Sequence, residues 1–217
     1  MRQIPLFPLG LVLYPEQETP LHIFEERYKD MVQHCLSDDV PFGLVLIYDG
    51  KITEVGCTAR IVQILHEYED GRRDILVRGE ERFRIAEVIQ RRSYYLADVH
   101  PIVEQPHIVD WALRERVIAQ HIKWQEMAQQ RFHVSDYGAE HAFLSFALAT
   151  KIPLKIEQQQ RLLQIPTETE RLDFLAQFFE TNLPELHEMM ETRRLVQSDG
   201  HFEHIPPTLG VNPDEDE

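Results

Sequence analysis

Eleven histidines and two cysteines give this 217-residue chain ample material for a metal or nucleophile site. His201-x-x-His204, with Glu203 between, has the residue types of a three-ligand metal site. It falls in residues 198–217, which carry six acidic side chains, no lysine or arginine, and prolines at 206, 207 and 213. That composition predicts a solvated, mobile acidic tail, and ligands there lack the supporting shell that fixes a metal site. Ser135 lies between His133, Asp136 and His141, but no nucleophile-elbow pattern surrounds it. Ser145 and Lys151 are six residues apart around a helix end, a spacing that does not bring a dyad face to face. No catalytic residue, metal or cofactor is assigned. Cys35 and Cys57 sit in apolar runs and read as two buried free thiols in a reducing compartment.

Two motifs pair carboxylates with guanidinium groups. Glu25-Glu26-Arg27-Tyr28 reads as a helix start at which Arg27 ties the helix to a sheet. Gly79-x-x-Arg82-Phe83 reads as a turn followed by a core aromatic, with a ligand role for Arg82 as the lesser reading. Trp111 and Trp124 read as packing residues rather than ligand platforms.

The elements that must position these residues change in kind along the chain. Phe42 to Tyr48 and Cys57 to His66 read as strands, and Asp70-Gly71 marks a hairpin into Asp74–Val77. Further strands are predicted at Phe83–Ile89 and Tyr94–Val103, so the first half is a closed or strongly coiled sheet. One helix interrupts it, because Tyr28, Met31, Val32, Cys35 and Leu36 form a single stripe. The second half has helical periodicity over 108–127, 138–150 and 155–164. A fourth helix starts at Thr167 with Glu170 as its capping box. Pro184 is expected to end or kink that helix, with 185–196 as a possible continuation. The net charge of −15 leaves neither half basic, which disfavours nucleic acid. No apolar run reaches the length of a membrane span. A soluble, cytoplasmic protein without membrane contact is expected.

Several fragments, in order, are similar to the N-terminal domain of Lon proteases. They are Ile4 to Leu9 with Val12 to Pro15, Pro20 to Tyr28, Phe42-Gly43, Glu54 to Ala59, and Val77 to Ile85. Leu144 to Ala149, Ile152-Pro153-Leu154, Glu157 to Leu163 and Arg171-Leu172 continue the set in the helical half. The resemblance implies an α+β fold: an N-terminal PUA-like β-rich module with one helix over 1–105, then a C-terminal helical bundle over 106–197. Lys155 departs from the family pattern, in which a serine tends to cap the helix; lysine accepts no such hydrogen bond, so that helix start is placed in doubt. A full Lon chain continues into an ATPase and a Ser–Lys protease. Here no Gly-x-x-x-x-Gly-Lys-Ser/Thr loop occurs among the nine glycines. The expectation is therefore a stand-alone, non-catalytic domain. By resemblance it recognises unfolded or degron-bearing proteins, as an adaptor or regulator in protein quality control. Tyr14, Phe24 and Tyr28 are the expected walls of a peptide groove, with Arg27 at its rim. The alternative is a small-molecule or RNA-binding PUA-like module.

Overall fold

The structure, a computed structural model, describes residues 2–89, 93–104, 110–128 and 143–199. Among these residues the strands are β1 (Arg2–Leu9), β2 (Glu18–Ile23), β3 (Phe42–Tyr48), β4 (Lys51–Glu67), β5 (Arg73–Ile89) and β6 (Tyr95–Pro101). The helices are α1 (Glu26–Asp38), α2 (Trp111–Met127), α3 (Leu144–Ala149), α4 (Ile156–Gln164) and α5 (Glu168–Asp199).

The turn at Asp70-Gly71 forms as its sequence predicts. Gly71 takes a φ of 81°, and the Gly71 N–H donates to Tyr68 O at 3.0 Å. This turn joins the two longest strands, β4 and β5. β1 pairs in parallel with β3 and antiparallel with β6; β3 pairs with β4, β4 with β5, and β5 with β6. Those five pairings close a barrel. Ile4, Leu6, Val45, Phe83, Ala97 and Val99 form one buried cluster between its strands.

β5 is a single strand where the sequence predicts two separated by a turn at Gly79. Its first half pairs with β2 and its second half with β6, so one continuous strand serves a ribbon and a barrel. Gly79 lies within β5, not in a turn, and its N–H donates to Gln17 O at 2.9 Å. Phe83 is a core aromatic, as expected.

α1 covers the inner face of the ribbon made by β2, β5 and the outer half of β4. Tyr28, Met31, Val32 and Cys35 pack there with Leu21, Ile23, Ile75 and Val77. Both cysteines are free and buried. Burial pushes the Cys57 thiol well above its ordinary range, and burial followed by Asp38 pushes Cys35 up to about 12. Neither thiol should react with iodoacetamide in mildly alkaline buffer, while both should be labelled in concentrated urea. Rapid native labelling, read by mass spectrometry, would contradict that packing.

The helices share a second core. Trp124 of α2 packs on Phe178 and Phe179 of α5, with ring centroids 5.5 and 6.2 Å apart. Asp110 caps α2 by accepting from the Leu113 N–H at 3.0 Å. The capping box before α5 is reciprocal: the Glu170 N–H donates to Thr167 Oγ1 and the Thr167 N–H to Glu170 Oε2. α5 then continues through Pro184 to Asp199, so the proline does not end it. α4 starts at Ile156 despite Lys155. Gln158 supplies half of a box by accepting the Lys155 N–H at 2.9 Å, which removes the doubt about that start. Of the helix expected over 138–150, 144–149 is helical; residues 138–142 and the His133–His141 cluster lie outside the described residues. α5 includes Ser198 and Asp199, and His201, Glu203 and His204 lie outside the described residues.

Candidate interaction surface

Two places gather the polar side chains that the sequence marks. The first lies between barrel and helices. Arg82 of β5 is 3% exposed and Arg171 of α5 is fully buried. Arg82 donates through Nη1 to the Leu163 and Ile165 carbonyls at 3.0 and 2.6 Å, and through Nη2 to Glu104 Oε2 at 2.8 Å. Arg171 Nη2 donates to Glu104 Oε1 and Glu168 Oε2 at 2.7 and 2.8 Å. Its Nε reaches Ser145 Oγ at 2.9 Å. Ser145 in turn donates its hydroxyl to Glu168 Oε2 at 2.6 Å. Two cations and two carboxylates thus balance in a largely buried site, with Glu104 at its partly exposed edge. Burial, then Arg171, hold the Arg82 guanidinium below its ordinary value. Arg82 of the barrel donates to the carbonyls of Leu163, Ile165 and Pro166 in the helical half, which makes it a fastener of the two halves.

Tyr14 belongs to this first place. It is 2% exposed, stacks on Phe146 at 5.0 Å, and donates its hydroxyl to Gln159 O at 3.2 Å. Burial pushes its phenol well above the ordinary range.

The second place is the start of α1. Phe24 is 58% exposed and its ring stacks on His22 at 5.8 Å. The His22 Nδ1 lies 2.5 Å from Asp74 Oδ1, and the Tyr68 hydroxyl donates to Asp74 Oδ2 at 2.8 Å. Those two contacts hold the Asp74 carboxyl below its ordinary value, His22 contributing most. His66 completes the row, because β2, β5 and β4 bring His22, Asp74 and His66 into register, and its ring is 4.4 Å from Tyr68. Arg27 does not tie α1 to the sheet. It pairs with Glu25 at 2.7 Å and lies over the Tyr28 ring at 4.6 Å. Lys29 makes that tie instead, donating to Asp70 O at 2.9 Å. Tyr28 itself is buried against Phe7, with centroids 4.2 Å apart.

Of the four residues expected to line a groove, Phe24 stacks on His22, Arg27 lies over the buried Tyr28, and Tyr14 sits in the joint. Phe24 and Arg27 offer surface; Tyr28 lies beneath Arg27. His22 and Asp74 escape sequence reading because they meet only through strand register, and Tyr68 reaches Asp74 across the β4–β5 hairpin. Trp111, expected to pack, is 61% exposed at the start of α2. Among the described residues, no group of three His, Cys, Asp or Glu side chains could hold a metal ion, and no helix is long and apolar enough to cross a membrane.

A closed barrel with a ribbon, fastened to helices by buried arginines, defines a mixed α+β domain whose most polar cluster serves packing. The model of the ATP-dependent protease La (LON) substrate-binding domain matches residues 3–195, and the chain belongs to that family. It is 26% identical over 210 residues to the Lon protease of Brevibacillus choshinensis, covering 90% of this chain and 26% of that protein. It is 28% identical over 216 residues to the Lon protease of Trichlorobacter lovleyi, covering 90% and 25%. The chain thus spans about a quarter of the length of these relatives. Among solved structures, a Lon N-terminal domain protein from Xanthomonas campestris matches with a TM-score of 0.62 and 27% identity, covering 81% of this chain and 97% of that one. The N-terminal domain of a Mycobacterium avium complex Lon protease shares the fold, with a TM-score of 0.64 at 16% identity, over 82% of this chain and 98% of that one.

Proposed function

We propose that this chain is a non-catalytic protein-binding module that holds unfolded or degron-bearing polypeptides, as an adaptor or regulator in cytoplasmic protein quality control. The observation that carries this reading is the match of residues 3–195 to a substrate-binding domain. The barrel over 1–105 is read as PUA-like and the helices over 106–197 as a small bundle. The net charge of −15 favours polypeptide over nucleic acid. The contact surface is placed at Phe24 and Arg27, with Tyr28 beneath them and Tyr14 fixing the joint behind. An exposed phenylalanine beside a guanidinium suits an apolar segment with an occasional carboxylate.

The test uses a carboxymethylated, permanently unfolded polypeptide and fluorescence anisotropy. Replacing Phe24 and Arg27 together by alanine should weaken binding about fivefold or more, the scale of a modest interface anchor. Both side chains are exposed, so the variant should keep its urea midpoint. Equal affinity in the two proteins would reject this surface.

A further inference from the structure

Among the described residues, one edge of the sheet lacks a second neighbouring strand. β4 has neighbours on both sides only as far as Ala59, opposite the first residue of β3. From Arg60 to Glu67 its pairing, among the described residues, is with β5 alone. Eight residues of strand present roughly 26 Å of edge. An edge of this kind displays unpaired N–H and C=O groups ready for another strand, and natural edges are commonly guarded by lysine or proline. Residues 60–67 contain neither. They expose Val62, Ile64 and Leu65 by 42%, 42% and 47%. Register shifts between Ile61 and Gln63, and between Ile64 and His66, break the simple alternation along this half of the strand.

α1 runs beside the same length of β4. At the hairpin tip Lys29 donates to Asp70 O at 2.9 Å, and at the other end Arg60 Nη1 donates to Asp39 Oδ1 at 3.0 Å. From Glu25 to the C-cap Asp39, α1 and its caps carry five acidic and two basic side chains; Lys29 pairs with Glu26 and Arg60 with Asp39, which leaves the border acidic. The open edge is therefore apolar and bordered by an acidic helix. A second copy of the chain pairing here about a two-fold axis would bring two acidic helices together, which disfavours it.

We propose that the β4 edge from Arg60 to Glu67 receives an extended apolar polypeptide segment, flanked by basic residues, as an added strand. This deepens the reading of the chain as a polypeptide binder, on which it rests. Main-chain pairing supplies sequence-tolerant affinity. Val62, Ile64 and Leu65 meet the apolar side chains, and α1 attracts the flanking cations.

The probe is a fluorescein-labelled peptide of about ten residues, the length that such an edge can pair, alternating valine and threonine between terminal lysines. The wild-type protein should bind it, with exchange protection appearing at the amides of 61–67. Leu65→Lys and Val62→Lys, both at exposed positions, should each weaken binding about fivefold or more while leaving the urea midpoint in place. Methylating alternate amide nitrogens of the peptide should abolish binding, because the side chains stay and the pairing goes. Replacing its lysines by glutamates should weaken it. Unchanged affinity in both lysine variants, or binding of the methylated peptide, overturns the edge assignment. If Phe24→Ala with Arg27→Ala removes binding while the edge variants do not, polypeptide binding stands and the edge fails. If the wild type binds neither this peptide nor the carboxymethylated polypeptide, the parent reading fails as well. A wild-type dimer that Leu65→Lys dissociates gives the edge to a second copy and overturns the proposal.

Discussion

Replacing Arg171 by methionine should lower the unfolding free energy by about 3–5 kcal/mol, the scale of a buried ion pair broken from one side. The reason lies in what is left behind. Arg171 is fully buried and Glu168 is 6% exposed. Without the guanidinium, Glu168 keeps only the Ser145 N–H and hydroxyl as donors, at 2.8 and 2.6 Å. Glu104 retains Arg82 but loses its two contacts with Arg171. Two hydrogen bonds do not replace a counter-charge where water is excluded. Arg171→Lys should recover only part of the loss, since one ammonium cannot reach Ser145, Glu104, Glu168 and the Ile165 carbonyl together. The diagnostic variant removes both partners. Arg171→Met with Glu168→Met should be more stable than Arg171→Met alone, because no uncompensated carboxylate remains. Urea midpoints at constant m measure all three. A double variant as weak as the sum of its parts would mean that shape, not charge, holds this joint.

Gly79→Ala should cost at least about 3 kcal/mol, the upper end of what overpacking does. Gly79 lies where β5 passes beneath the segment following Tyr14. Its N–H donates to Gln17 O, and its carbonyl accepts from the Glu16 N–H, both at 2.9 Å. A methyl group added there would sit 2.1 Å from Tyr14 O and 2.9 Å from Tyr14 C. Backbone is what stands in the way, so no side chain can swing aside. Relief would shift Tyr14 from its stack on Phe146 and break both hydrogen bonds. Gly10→Ala is the control, with nothing within 4 Å of the new atom and an expected change below about 0.5 kcal/mol. Thermal or urea unfolding of the two proteins, compared with the parent, decides it; near-equal stabilities would show that the crossing segment is free to move.

Helices α1 and α5 were legible in the sequence, because their apolar stripes coincide with the faces that pack, whereas α2 turns Leu113, Val117 and Trp124 inward and leaves Trp111 exposed. α1 is the clearest case, with Tyr28, Met31, Val32 and Cys35 all buried as the stripe requires. β1 and β2 were hidden by Pro5, Pro8 and Pro20. The sheet explains how those prolines are tolerated. β1 meets β6 through Arg2–Leu6 and β3 through Leu6–Leu9, so Pro5 and Pro8 each have a strand on one side only. Pro20 lies on β2, which pairs with β5 alone. In each case, among the described residues, one side of the strand has no neighbour at a residue that cannot donate. Gly79, flanked by Arg78 and Glu80, similarly concealed the continuity of β5. Of the surface residues, the helix-start motif pointed to Phe24 and Arg27, both of which are exposed. The partners of Arg82 and Arg171 were not, since local patterns do not show that positions 82, 104, 145, 168 and 171 converge. Nor does a strand's sequence reveal that half of it lacks a second neighbour.

That convergence also governs how the molecule comes apart. Separating barrel from helices breaks Arg171 from Glu104 and Arg82 from the Leu163 and Ile165 carbonyls together, so the cheapest partly open state loses the whole joint at once. Both tryptophans, Trp111 and Trp124, belong to α2 and therefore report on the helical half alone. Tryptophan emission and the circular dichroism of the strands should nonetheless follow one curve with a single midpoint. Under a protease, cuts within the described strands and helices should come only as fast as the fold opens across this joint, and Arg171→Met should be the substitution that lets the helices be clipped first.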